Sequence, residues 1–232
     1  MIFDGTEKTI GVGAQAEVVL YNGYAYKIYR DSYPAEWIEF EKKQQRAVND
    51  AGLCSVKYYD TDDKHIVKMD YIDGEMLEVR ASAGDVNAFY MLSEAFKRVH
   101  KVDAEGVDMP RLIDTAGMGL GDEEREEVLS IISRISGKMK SCICHLDMHF
   151  LNIMLPKDGG DFIIIDWMNA RIAPLIFDYA RTYVILDEFS QEGLEAYKQT
   201  VLPDLLELGV EEKDFYDAVR VCSILRRQEK EI

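Results

Sequence analysis

The sequence predicts an α+β protein: an N-terminal five-stranded antiparallel sheet with one helix, followed by a mainly helical C-terminal region. Three observations carry that prediction. Asn22-Gly23 lies between two runs of alternating apolar and polar residues, the strongest short hairpin signal in the chain. Residues 34–52 then switch to helical spacing, and after Gly74 the apolar residues recur at three and four rather than at two. With 232 residues, 47% hydrophobic and 30% charged, the chain is long enough to bury a core in one large domain or two small lobes.

In chain order, TIGVGAQAEVVLYNGYAYKIYR gives two strands meeting at Asn22-Gly23, and the residues before Gly11 supply a further strand. PAEWIEFEKKQQRAVNDAG places Trp37, Phe40 or Glu41, Gln44 and Val48 at helical spacing, with Gly52 as the stop. SVKYYDTDDKHIVKMDYIDG reads as two strands across an Asp62-Asp63 turn, ending at Asp73-Gly74. Helical faces follow: Phe89, Leu92, Phe96 and Val99, then Val128, Ile131, Ile132 and Ile135. Two short apolar runs, CICHL and FIIID, flank a polar loop, and the tail from Ala180 to Lys230 is again mostly helical. No repeat or flexible linker divides the chain. The change of class near residue 72 therefore sets the expected domains, 1–72 and 73–232.

A formal charge of -16 repels phosphate backbones, which argues against nucleic acid as a partner. It favours cationic small molecules, or serves solubility alone. No apolar run is long enough to span a bilayer, and MIFDGTEKTIG lacks the pattern of a signal peptide, so a cytoplasmic protein with no membrane partner is expected. Cys54, Cys142, Cys144 and Cys222 have no CxxC spacing, and Cys142 and Cys144 alternate with Ile143 as strand residues do. They read as reduced structural thiols.

The chemistry-bearing residues form an ordered series. Gly11 and Gly13 lie in a small-residue loop between strands, which either satisfies a turn or lets backbone amides approach an anion. Lys27 follows on a strand: it either snorkels to water or meets a carboxylate from Glu36, Glu39 or, preferably, Glu41 on the next helix. His145-Leu146-Asp147-Met148-His149-Phe150-Leu151-Asn152 fits H-x-D-x-x-x-x-N, and a further strand leads into Asp166. A carboxylate that orients a hydroxyl, an amide that binds a metal and a second carboxylate at a strand end together suit Mg²⁺ and a nucleotide phosphate. His65 reads as a residue of an exposed turn, His100 as a packed helix-end residue, and the ten methionines as core filling.

This series resembles the protein-kinase-like fold, and in detail the aminoglycoside phosphotransferase and choline kinase superfamily. His149 stands two residues after Asp147, where protein kinases usually carry lysine. Asp166 is followed by Trp167-Met168 instead of Phe-Gly, and a second aspartate, Asp178, precedes a helix in IDWMNARIAPLIFDYART. The resemblance runs from about Gly11 to Arg181 and implies a bilobal, ATP- and Mg²⁺-dependent small-molecule kinase. It implies that Asp147 positions the acceptor hydroxyl and takes its proton, and that Asn152 and Asp166 hold the metal. Lys27, paired with Glu41, would contact the phosphates, main-chain groups of Asp70 and Ile72 the adenine, and His145 and Asp178 would support the loop. The sequence departs from the pattern at Ala16, where protein kinases place a third glycine, and the region after Asp166 is short, which implies reduced substrate-binding helices. The implied acceptor is a cationic, hydroxyl-bearing small molecule such as an aminoglycoside or amino alcohol. Asp187, Glu188, Glu192 and Glu195 are acidic candidates to bind it, or form a solvated helix face. A protein kinase of the same fold and a nucleotide-binding pseudokinase are the rival readings; the first would phosphorylate protein and turn over no small alcohol, the second would bind nucleotide without turnover.

Overall fold

The computed structural model describes residues 3–13 and 15–229; Ala14, in the small-residue loop, lies outside them. The chain forms two compact units, Met1–Glu75 with Met154–Met168, and Met76–Ile153 with Asn169–Ile232.

The first unit is built on strands β1 (Lys8–Val12), β2 (Ala16–Tyr21) and β3 (Tyr24–Tyr29), helix α1 (Ala35–Asp50), and strands β4 (Tyr58–Tyr59) and β5 (Ile66–Asp70). The sheet is antiparallel in the order β1-β2-β3-β5-β4. Asn22 and Gly23 both have positive φ, 48° and 79°, the backbone that a two-residue turn of this twist requires. Alternation along β3 puts Ala25, Lys27 and Tyr29 on one face of the sheet and Tyr24, Tyr26 and Ile28 on the other. Tyr29 packs with Ala16, Val67 and Ile38 of α1, so Lys27 shares the helix-facing side. On α1 the buried face is Ile38, Glu41, Gln44, Gln45, Ala47 and Val48. Trp37, which its spacing places on the core face, is instead half exposed, because Ile38 takes the inward position one residue on. Gly52, at φ 73°, turns the chain out of the helix.

Strand β6 (Gly74–Met76) follows, and the second unit begins with helices α2 (Leu77–Ser82), α3 (Asn87–His100), α4 (Leu112–Thr115) and α5 (Asp122–Ser136), then strand β7 (Ser141–Cys144). Next come strands β8 (Ile153–Pro156), β9 (Ile163–Ile164) and β10 (Arg171–Pro174), and helices α6 (Ile176–Phe189), α7 (Gln191–Thr200), α8 (Pro203–Glu207) and α9 (Glu212–Glu229). β7 pairs antiparallel with β10, while β6, β8 and β9 form a sheet of their own. That last sheet is why Met154–Met168, which the sequence reading runs within 73–232, is grouped with the first unit.

The expected helical faces bury as their spacing requires. Leu92, Phe96 and Val99 are fully buried on α3, as are Val128, Ile132 and Ile135 on α5, while Ile131 is only partly buried. Each such side chain contributes roughly 2 kcal/mol of burial free energy. Among the described residues no helix is long and apolar enough to cross a membrane.

Gly74, expected in a turn, opens β6 against β8. A Cβ there would lie 2.5 Å from the Leu155 carbonyl oxygen and 3.2 Å from Pro156 Cα. Backbone cannot swing aside as a side chain does, so Gly74→Ala is expected to cost about 1–3 kcal/mol, read as a lower urea midpoint with an unchanged slope.

Candidate active site

Within the first unit, Lys27 Nζ lies 2.7 Å from Glu41 Oε1 and 3.9 Å from Asp166 Oδ1. Of the three glutamates that could have met Lys27, Glu36 and Glu39 are exposed and Glu41 is buried. Glu41 also accepts from the Tyr29 hydroxyl at 2.5 Å and from the Tyr58 hydroxyl at 3.3 Å. Burial opposes the Lys27 ammonium, but the carboxylates of Asp166 and Glu41 outweigh it and hold its pKa well above the ordinary lysine value. Lys27 is therefore a fixed positive charge. The two tyrosines escaped the sequence reading: Tyr29 alternates with Lys27 on β3, whereas Tyr58 stands on β4, which β5 separates from β3, and its meeting with Glu41 follows only from the folded sheet.

Asp166 follows β9 with φ 63°, a left-handed conformation that aspartate tolerates better than most residues. Its side chain is about half exposed, at 45%. Gly11 lies in β1 opposite Val18, and the Gly13 N–H donates to the Ala16 carbonyl at 2.8 Å. Neither glycine has a positive φ, and a Cβ at either would meet nothing nearer than 3.4 Å. Asp70 ends β5, its N–H donating to Lys57 O at 3.1 Å and its carboxylate accepting from Lys57 N and Tyr59 Oη, each at 2.9 Å. Ile72 lies in the segment joining β5 to β6, partly buried.

In the second unit, the loop after β7 carries Asp147 and Asn152. Asn152 Nδ2 donates to the Asp147 carbonyl at 2.8 Å and to Asp147 Oδ2 at 3.2 Å, closing the loop on itself. His149 accepts from Leu151 N through Nδ1, capping the 3₁₀ turn Phe150–Asn152, and its Nε2 stands 3.6 Å from Asp147 Oδ2. Burial pushes the Asp147 carboxyl up, but the hydrogen bond and charge of His149 and the charges of His145 and Arg181 outweigh it and hold the pKa to about 2. Asp147 is thus an anion over the whole neutral range.

The loop is anchored from below by α6. The fully buried Asp178 carboxylate accepts from His145 N at 2.9 Å, from Leu146 N at 2.7 Å and lies 2.9 Å from His100 Nε2. Leu146 has φ 56°, an unfavourable conformation for a branched apolar residue, and its amide is one of the two that Asp178 grips. One turn along the helix, Thr182 donates to Met148 O at 2.5 Å. His145 is buried behind Asp147, and Arg181, also buried, pairs with Glu229. His100, at the end of α3, stacks on Phe96 with ring centroids 5.7 Å apart. The Asp178 hydrogen bond and charge outweigh burial and raise its pKa. Sequence spacing links Asp178 to the loop only through the family pattern; it offers no signal for His100, Thr182 or Arg181 beyond the one-turn spacing of Arg181 and Thr182 from Asp178. His65 is partly buried, its Nε2 3.1 Å from Tyr33 O, and is not free in a turn.

The acidic candidates after the core are exposed, and two of them already have cations: Glu188 pairs with Arg226 at 3.2 Å and Glu195 with Lys198 at 2.8 Å. Asp187 accepts from Gln191.

These features define a protein-kinase-like fold. The family model described as "Phosphotransferase enzyme family" matches residues 6–209, and the chain belongs to that family. Solved structures agree on the fold at low identity. The aminoglycoside phosphotransferase APH(3'')-Id from Streptomyces rimosus superposes with a TM-score of 0.65 at 16% identity, covering 95% of this chain and 93% of that one. Choline kinase LicA from Streptococcus pneumoniae gives 0.61 at 16%, covering 97% and 86%. Plasmodium vivax ethanolamine kinase gives 0.60 at 14%, covering 94% and 72%. No curated protein sequence matches the chain.

Proposed function

We propose that the chain is an ATP- and Mg²⁺-dependent O-phosphotransferase that acts on a small, cationic, hydroxyl-bearing acceptor of the aminoglycoside or amino-alcohol type. The observation that carries the reading is the Asp147 loop: an ionised carboxylate, tied to Asn152 and braced by Asp178. In phosphoryl transfer the protein supplies position and charge rather than covalent chemistry, and a carboxylate held in one place can orient an acceptor hydroxyl and take its proton as the oxygen bonds to the γ-phosphorus and ADP leaves.

The donor set suits Mg²⁺. Asn152 spends its amide nitrogen on Asp147, which leaves its oxygen to a cation, and Asp166 offers an exposed carboxylate; both are hard oxygen donors. The ion would neutralise charge on the phosphates. Lys27, held as a cation by Glu41, would contact the α- and β-phosphates. Gly11, where the β1–β2 register shifts as at a bulge, and Gly13 would let phosphate approach the β1–β2 turn. With the Asp70 N–H engaged by Lys57, the adenine contact falls to the Asp70 carbonyl and the Ile72 main chain. His145 and Asp178 would support the loop.

The acceptor class is supported by the acidic charge of -16 and by what the similar structures are: an enzyme crystallised with ADP and streptomycin, a choline kinase and an ethanolamine kinase. ADP release is measured over a panel of aminoglycosides, choline, other amino alcohols and sugars. One amine-bearing class is expected to raise release above the ATPase background, and Asp147→Asn to remove that increment by on the order of 10²–10³. Parent-like turnover by Asp147→Asn sinks the reading, as does phosphate found on protein with no small alcohol consumed.

A further inference from the structure

A second donor cluster lies in the core of the second unit, on the strand that leads into the Asp147 loop. Cys142 and Cys144, two apart on β7, project to the same side, and their sulfurs are 3.9 Å apart. A ring nitrogen of His100 lies within 4.8 Å of both. The Ala173 carbonyl oxygen, on the paired strand β10, is 3.6 Å from Cys142 Sγ and 3.4 Å from Cys144 Sγ.

We infer that Cys142, Cys144, His100 and the Ala173 carbonyl form a binding site for one divalent thiophilic cation of the zinc class, separate from the phosphotransfer site.

The distances carry it. Tetrahedral coordination with metal–sulfur bonds of 2.3 Å separates two sulfurs by about 3.8 Å, and a metal–oxygen bond near 2.1 Å sets sulfur and oxygen about 3.6 Å apart. The observed separations, 3.9, 3.6 and 3.4 Å, match before any ion enters. Both sulfurs lie within hydrogen-bond reach of the Ala173 carbonyl, and Cys144 Sγ also within 3.6 Å of the Pro174 carbonyl, so the ion replaces weak S–H contacts with two metal–sulfur bonds and releases two protons to solvent. Charge agrees as well: a divalent ion with two thiolates is neutral, the state that burial favours. A metal-bound imidazole usually has a carboxylate on its other nitrogen; Asp178 lies 2.9 Å from His100 Nε2, so in the inferred site Nδ1 would be the nitrogen that meets the ion. Two sulfurs alone could serve a disulfide; the imidazole, its carboxylate and the shared carbonyl are what a disulfide has no use for. Cys142 and the His100 side chain keep 8% exposure each, while Cys144 has none, which gives the ion its side of entry.

The full chain, reduced and stripped with chelator, is titrated with Co²⁺ in excess Mg²⁺, which fills hard-oxygen sites, and then with Zn²⁺. One equivalent of Co²⁺ is expected to produce a sulfur-to-metal charge-transfer band that one equivalent of Zn²⁺ bleaches. Cys142→Ser and Cys144→Ser should each lose the band. The double variant Cys54→Ser/Cys222→Ser, which leaves the cluster untouched, should keep it even if the other two fail to fold. Absence of the band in the folded parent overturns the inference, and so does a band that disappears in the Cys54/Cys222 variant.

Discussion

Asp166→Asn is expected to lower kcat/KM by on the order of 10³, about 4 kcal/mol of transition-state stabilisation, while leaving the fold intact. The proposed role of Asp166 is to hold Mg²⁺ on the nucleotide, and an amide keeps the shape of the side chain while removing the charge that a hard cation needs. The fold should tolerate the change because the Asp166 side chain is 45% exposed and Lys27 retains Glu41 at 2.7 Å. Asparagine is the decisive substitution rather than alanine. At φ 63° alanine adds about 1–2 kcal/mol of backbone strain, which asparagine largely avoids, so Asp166→Ala mixes a conformational cost with the loss of a ligand. Three readouts separate the two. Thermal stability without nucleotide should match the parent for Asp166→Asn and fall for Asp166→Ala. The Mg²⁺-dependent rise in Tm on adding ATP should vanish in both. Turnover at saturating ATP and Mg²⁺ should fall in both. An Asp166→Asn protein that keeps its Mg²⁺-dependent ATP response removes Asp166 from the metal site.

The largest effect on stability is expected at Asp178. Its buried carboxylate serves His145 N, Leu146 N and His100, and Asp178→Ala leaves all three without it at once. Removing one member of a buried, hydrogen-bonded charged set costs about 3–5 kcal/mol. For a chain of this size that lowers Tm by roughly 6–20 °C. The same change should also slow turnover, because Leu146 is held at φ 56° through an amide bonded to Asp178, and Asp147 is the next residue. Urea denaturation followed by circular dichroism reads the first effect, and ADP release at a temperature where the variant is folded reads the second. A variant within 1 kcal/mol or so of the parent would mean that the amides find another acceptor.

Much of the fold can be read from local signals because those signals are local physics. Asn22 and Gly23 adopt positive φ since few other pairs do so at low cost, and the tight turn then fixes the pairing of β2 with β3. The faces of α3 and α5 follow from side-chain spacing, since an apolar stripe must be covered. The order of Gly11, Gly13, Lys27, Asp147, Asn152 and Asp166 is equally a property of the chain.

What spacing leaves open is decided by partners distant in sequence. Trp37 and Ile38 are both compatible with a helical stripe; contact with Tyr29 and Val67 chooses Ile38. Glu36, Glu39 and Glu41 are all plausible partners for Lys27, and only the seating of α1 on the sheet makes Glu41 the one that is buried between Lys27, Tyr29 and Tyr58. The pairing of β6 with β8 makes Gly74 a steric necessity and draws Met154–Met168 into the first unit. His100 and Asp178 are 78 residues apart, and Cys142 reads as an ordinary strand residue until Ala173 and His100 stand beside it.

The sequence by itself therefore determined the α+β class, the hairpin, the helical faces and the family to which this chain belongs, because each is written in spacings of a few residues or in an ordered set of polar positions. Only the tertiary structure decided which carboxylate neutralises Lys27, what holds Asp147 in place and which thiols meet an imidazole. Burial and hydrogen bonding depend on which groups the folded chain brings within about 4 Å of one another, and that is not a property of any short stretch of sequence.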